Sequence, residues 1–235
     1  MKKTKKIDNP GGILLDPLMT RPSRIAIVAL GPSCQSFIGS QMANPGMLDP
    51  YDEVWTLNRG IRGFHHDKLF VMDDLRWIER KRNKGYAKFL KNHDKPIITS
   101  TVYEEYPMSV PYPLHMVQEF IDDDIFAMNT VSYMVAYAMY IRVKEFTLFG
   151  ADFVYPNGNT AEEGGMAVAY LLGRCKMYDI THGLPGTTTM IYANKVKQWP
   201  DGSVRRPYYG YHRLDELAAE KKQETDRKAA QGKVK

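Results

Sequence analysis

Cysteine is almost missing from this chain. Cys34 and Cys175 are the only two in 235 residues. Two thiols exclude a disulfide framework and any zinc site built on cysteine. Long apolar runs are missing too, since none approaches the ~18 residues that a membrane span requires. The basic start, Met1 to Lys6, is followed only by Ile13-Leu14-Leu15. That run is too short for the apolar core of a secretory signal, so the cytoplasm is the expected compartment. The Gly-x-Gly-x-x-Gly fingerprint and the P-loop are both absent. An ordinary NAD dehydrogenase and the P-loop kinases and ATPases are therefore disfavoured. No internal repeat is visible.

What remains is ordinary globular material: 43% hydrophobic and 25% charged residues, at a length that suits one α/β domain with appendages. The formal net charge of +5 gathers at the ends. Lys2, Lys3, Lys5 and Lys6 open the chain, and the stretch from Arg213 to Lys235 is about half charged, with both signs mixed. Such ends serve solubility or contact a polyanion, DNA included, and the sequence leaves both open. Residues 1–23, with Pro10, Gly11, Gly12, Pro17 and Pro22, read as an irregular arm. Residues 24–212 read as the domain, and 213–235 as a charged C-terminal tail.

Within the domain, apolar runs alternate with helical stretches. Strands are expected at 24–30, 53–58, 69–72, 96–100, 145–150 and 176–181, each bounded by turn residues. Helices are expected at 34–42, 75–92, 130–143 and 161–173. Residues 101–115, rich in Pro and Tyr, read as a loop, and Trp199 to Ser203 as a hairpin turn. The pattern predicts an α/β, Rossmann-like fold: a mainly parallel sheet with helices on both faces, plus the C-terminal hairpin and tail.

Ligands of such sheets bind beyond the carboxyl ends of the strands. Five strand ends carry Gly or polar residues. Gly31-Pro32-Ser33 suits an anion at the start of a helix, and equally suits a plain strand-to-helix turn. Asn58 is able to bond a base or ribose, or simply to occupy a left-handed turn before Gly60. Asp73 suits a ribose hydroxyl or a divalent metal, while Asp74 suits a helix cap. Gly150-Ala151-Asp152 closes the fifth strand. His182 stands at the expected end of the sixth, where a histidine serves as general base or bonds a backbone carbonyl. The Asp122-Asp123-Asp124 run reads as a solvated acidic loop. His65-His66 lacks a second pair at ligand spacing, which argues against zinc.

The order of these motifs resembles a known group. Val131-Ser132-Tyr133-Met134 leads to Lys144-Glu145-Phe146 and then Gly150-Ala151-Asp152-Phe153, followed by Tyr155 and Asn157-Gly158. With Gly31-Pro32-Ser33 and Asn58 upstream, this is similar to the Rossmann-like bacterial sialyltransferases. It is also similar to the motility accessory factors and the 6-hydroxymethylpterin diphosphokinase-like proteins of the same superfamily. The resemblance spans roughly residues 24–192. It implies a nucleotide held by Gly31, Pro32, Ser33, Asn58, Asp73, Asn129, Ser132 and Tyr155. It also implies a glycosyltransferase that moves a sugar from a nucleotide donor to a hydroxyl acceptor.

Three positions depart from the pattern. Leu30 stands where the group commonly has Asn. Asn129 or Thr130 stands where the sialyltransferases have Arg. Glu162 and Glu163 fill the segment that holds their catalytic His. The expected base is therefore His182, with Asp152 or a backbone carbonyl fixing its tautomer, and Glu162 is the other candidate. No cofactor is required by this reading. Mg²⁺ enters only under the alternative of a diphosphokinase-like phosphoryl transfer, held by Asp73 and Asp152. A non-catalytic nucleotide-binding protein is the remaining alternative.

Overall fold

A computed structural model describes residues 22–43, 50–62, 65–80, 84–154, 158–192, 197–198, 204–205 and 220–229. The N-terminal arm, Tyr155, Asn157 and most of the hairpin and tail lie outside these residues. The chain divides into two compact units after Ile191.

The first unit is built on a seven-stranded, all-parallel sheet. Its strands are β1 (Arg24–Val28), β2 (Glu53–Leu57), β3 (Lys68–Val71), β4 (Ile97–Thr99), β5 (Ser109–Pro111), β6 (Glu145–Phe149) and β7 (Thr181–Gly183). They lie in the order β5-β4-β3-β2-β1-β6-β7. The chain moves outward from β1 to β5, then returns to add β6 and β7 on the other side of β1. The connection reverses between β1 and β6, and the crevice of such a sheet opens at that point.

The apolar runs form strands because both faces of the sheet are covered, so nearly every side chain must be apolar. Alternate residues of β1 serve opposite sides. Ile25 and Ile27 join Trp55, Leu57, Phe70 and Ile98 in one core. That core is closed by α4 (Leu114–Ile121), α5 (Thr130–Tyr140) and α6 (Gly158–Cys175). Ala26 and Val28 point the other way and pack with Phe37 of α1 (Cys34–Ala43) and Phe149. Leu69, Val71 and Ile97 pack with Leu75 and Ile78 of α2 (Leu75–Arg80) and Tyr86 and Leu90 of α3 (Lys84–Lys91). Helix α5 is apolar almost all round and its residues from Val131 to Met139 are buried apart from Tyr133, as a helix between a sheet and other helices must be.

Three expectations change in detail. The helix over 75–92 is two helices, α2 and α3. Residues 101–115 contain the short edge strand β5. The sixth strand is displaced: residues 176–178 form a 3₁₀ turn, ended by Asp179 at φ 57°, and the strand occupies Thr181–Gly183 instead.

In the second unit, Lys197–Gln198 and Val204–Arg205 pair antiparallel. They flank the residues expected to turn a hairpin, which lie outside the described residues. Residues 220–229 are helical and exposed.

Candidate functional site

The two strand ends at the reversal point are bonded to each other. The Ala29 amide donates to the Phe149 carbonyl at 2.8 Å, and the Gly31 amide to the Gly150 carbonyl at 2.7 Å. This approach needs glycine on both sides. Gly150 has φ +69°, and a Cβ there would lie 2.3 Å from the Ala29 oxygen. A Cβ on Gly31 would lie 2.5 Å from the Gly150 oxygen and 2.6 Å from Asp152 Oδ2. The spacing is set by contacts within the chain.

Asp152 is 6% exposed and its acceptors are used. Oδ2 accepts the Ser33 amide at 2.7 Å, and Oδ1 accepts the Thr188 hydroxyl at 2.6 Å. Its backbone carbonyl accepts the Thr189 hydroxyl at 2.8 Å. The Gly150 amide in turn donates to Ser33 Oγ at 2.9 Å. The carboxylate thus sits at the positive end of α1, where an external anion would otherwise bind. The next amides are also taken: Cys34 by the Gly31 carbonyl, Gln35 by Pro32 and Ser36 by Ser33. Gly31 and Ser33, which the resemblance places at a phosphate, are bonded within the chain here. They build the junction, while Pro32 is exposed at its rim.

Asn129 and Ser132 are likewise structural. They form a capping box at the start of α5. Asn129 Oδ1 accepts the Ser132 amide at 3.0 Å, and Ser132 Oγ accepts the Asn129 amide at 3.1 Å. Ser132 is fully buried, and its hydroxyl lies within bonding distance of the Phe126 and Asn129 carbonyls. Asn129 Nδ2 also donates to the Gly164 carbonyl at 3.3 Å. The Gly164-Gly165 pair lets α6 settle on Phe153, since a Cβ at Gly164 would lie 2.9 Å from that ring.

Other groups lie along the carboxyl edge. Asn58 follows β2 with φ 47°, and its Oδ1 is buried with no hydrogen-bond partner among the described residues. The turn it opens folds against the end of β1: a Cβ on Gly60 would lie 2.4 Å from Thr56 Oγ1 and 3.1 Å from Leu30 Cδ2. Arg59 is exposed beside it, its guanidinium 5.9 Å from the Tyr86 ring centre. Asp73 is exposed at the end of β3. Asp74 caps α2, accepting the Arg76 amide at 2.9 Å. Glu162 is exposed near the start of α6.

His182 is not at this edge. It pairs in register with Phe146, with ring centres 6.0 Å apart. Phe149 lies three residues further along β6, about 10 Å at the usual rise per residue. Burial, and then Lys176, push the His182 pKa below its ordinary value. The partners of Asp152 are Ser33, Thr188 and Thr189, so Asp152 does not orient His182. Nor do Asp73 and Asp152 come together. Their strands are three spacings apart, about 14 Å. Among the described residues no group of three or more His, Cys, Asp or Glu is placed to hold a metal.

Thr188 and Thr189 are the site-building residues that sequence reasoning passed over. Their signal was a run of threonines directly beyond the turn at Pro185-Gly186, after the last strand of the sheet.

The strand order and the uniform strand direction define a Rossmann-like α/β protein. No protein-family model matches the chain, and no curated protein sequence does. Among solved structures, the chain is similar to the sialyltransferase CstII from Campylobacter jejuni in complex with the substrate analogue CMP-3FNeuAc. That similarity has 16% identity and a TM-score of 0.46, over 79% of this chain and 91% of that one. A CstII complex with cytidine-5'-monophosphate is similar at 16% identity and a TM-score of 0.36, over 69% of this chain and 79% of that one. No helix among the described residues is long and apolar enough to cross a membrane.

Proposed function

We propose that the chain is a glycosyltransferase that binds a nucleotide-activated sugar over the carboxyl ends of β1, β2 and β3. The observation that carries this reading is Asn58 Oδ1, a buried acceptor without a donor among the described residues, at the edge where such folds bind ligands. A buried polar atom left unpaired costs about 1–3 kcal/mol, which a base amino group or ribose hydroxyl would recover. The ordered motifs of the resemblance support the sugar donor.

The chemistry would be displacement at the anomeric carbon. Glu162 takes the proton of an acceptor hydroxyl, the acceptor oxygen bonds to that carbon, and the bond from carbon to the donor's phosphate oxygen breaks. Glu162 is preferred to His182 because it is exposed near the start of α6, whereas His182 lies about 10 Å short of the edge. The diphosphokinase alternative loses its support, since Asp152 is engaged and Asp73 is remote from it. The acceptor follows from no described residue.

The test is calorimetric titration of the full chain with CMP, UDP, GDP and their common sugar conjugates, followed by assay of nucleotide release. Asn58→Ala should weaken binding about ten- to a hundredfold, matching the lost bond. Glu162→Gln should leave binding intact and slow turnover by ~10²–10⁴. Binding without turnover of any donor would favour a non-catalytic nucleotide-binding protein. No binding at all, or full binding by Asn58→Ala, would overturn the site.

A further inference from the structure

The loop before β3 and the turn before β4 meet at the amino edge of the sheet, opposite the site above. They bring together two histidines that are far apart in sequence. His66 Nε2 lies 3.3 Å from His93 Nε2 across a separation of 27 residues. The ring planes are within 14° of parallel and the ring centres are 5.1 Å apart. The centres are much farther apart than the nitrogens, so the two Nε2 atoms face each other and the rings extend away behind them.

At 3.3 Å the two nitrogens are within reach of one N–H···N hydrogen bond, with the tautomers setting donor and acceptor. A tetrahedral metal bound to two imidazole nitrogens at about 2.0–2.1 Å holds those nitrogens about 3.3 Å apart. The observed spacing is that bite. His66 is 7% exposed, so one ligand is held in place by its surroundings. The segment behind it is fixed as well: Asp67 Oδ2 accepts the Val54 amide at 2.8 Å, and the Asp67 amide donates to the Val54 carbonyl at 2.7 Å.

We propose that His66 and His93 chelate a borderline divalent transition metal, of the class of Zn²⁺, Co²⁺ or Ni²⁺, through their Nε2 atoms. Two imidazoles and no carboxylate or thiolate favour that class over Mg²⁺ or Ca²⁺. No third side chain among the described residues completes the set. The affinity is therefore modest. The metal staples the approach to β3 onto the approach to β4 and is distant from any catalytic step.

The test uses the full chain without a histidine tag, stripped with EDTA. Zn²⁺, Co²⁺ and Mg²⁺ are titrated by calorimetry, with melting temperature as a second readout. Zn²⁺ and Co²⁺ should bind at one site and raise the melting temperature, and Mg²⁺ should do neither. His93→Gln and His66→Asn should each weaken Zn²⁺ binding at least tenfold. His65→Asn should not, since His65 is exposed and lies outside the pair. If His66→Asn fails to fold, His93→Gln decides, together with the effect of Zn²⁺ on the imidazole nitrogen resonances of the wild type. A wild-type isotherm no different from that of His93→Gln, or an unmoved His93 resonance, would overturn the site and leave an ordinary hydrogen bond between the two rings.

Discussion

Ser33 and Asp152 are 119 residues apart and joined at 2.7 Å, amide to carboxylate, across the reversal point of the sheet. The bond fixes the start of α1 to the end of β6. Thr188 adds the loop beyond β7 through the other carboxylate oxygen. Three segments are therefore tied by one buried side chain, and the first prediction concerns its loss.

Asp152→Ala leaves the Ser33 amide and the Thr188 hydroxyl without acceptors in a buried place. The expected cost is about 2–6 kcal/mol, given 1–3 for each unmade bond. Thr188→Val removes one donor and should cost about 1–3 kcal/mol. Urea unfolding of both variants checks the order. Wild-type stability in Asp152→Ala would show that the carboxylate serves something other than the junction.

Gly31→Ala should destabilise the protein rather than selectively weaken ligand binding. Its Cβ meets the Gly150 carbonyl oxygen and Asp152 Oδ2, both of which belong to the junction. Crowding of this kind costs about 1–3 kcal/mol, or several degrees of melting temperature in a chain of this length. A variant that melts like the wild type yet no longer binds nucleotide would restore the phosphate-cradle reading.

Ser132→Ala breaks the capping box at α5. The loss expected for such a cap is about 0.5–2 kcal/mol, read from chemical denaturation. Nucleotide affinity should not change, because the hydroxyl is buried against the Phe126 and Asn129 carbonyls. A large affinity loss with unchanged stability would place Ser132 at the ligand.

The His182 ring titrates below its ordinary value, chiefly because burial disfavours the charged form. Its pKa is thus lower folded than unfolded. Above about pH 6.5 the ring is neutral in both states and takes nothing from stability. As pH falls below that value the unfolded chain takes up the proton first, and stability declines until the folded pKa is reached. His182→Phe, which keeps a ring against Phe146, should flatten the acid side of the stability profile. An unchanged slope below pH 6.5 would contradict this.

The main strands were legible because β1, β2, β3, β4 and β6 are compact apolar runs with clear punctuation. β5 was not, since its three residues carry no periodic signal, and Pro111 suits only an edge. β7 was misplaced by a few residues. Met177, Tyr178 and Ile180 look like a strand, but Asp179 turns left-handed among them, and the edge strand that follows is the polar Thr-His-Gly.

At the site, the grouping of Gly31, Ser33 and Asp152 at one edge was readable from the strand ends. The direction of their bonds was not. Whether a carboxylate faces a ligand or a helix amide depends on a contact across 119 residues. Ser132 illustrates the same limit, because a helix-start serine serves a phosphate or a cap equally well. The His66–His93 pair escaped a search for local ligand spacing because its members sit in different loops.

The position of β1 also bears on how the chain is made. Among the described strands it comes first in the chain and lies inside the sheet, with β6 as its neighbour on one side. On a ribosome adding about 5–20 residues per second, the interval from β1 to β6 is roughly 6–24 s. Through that interval the edge of β1 that β6 covers in the fold has no native partner, and such an open edge invites mispairing. Slow synthesis or scarce chaperone should therefore lower the yield of this protein before any equilibrium property is affected.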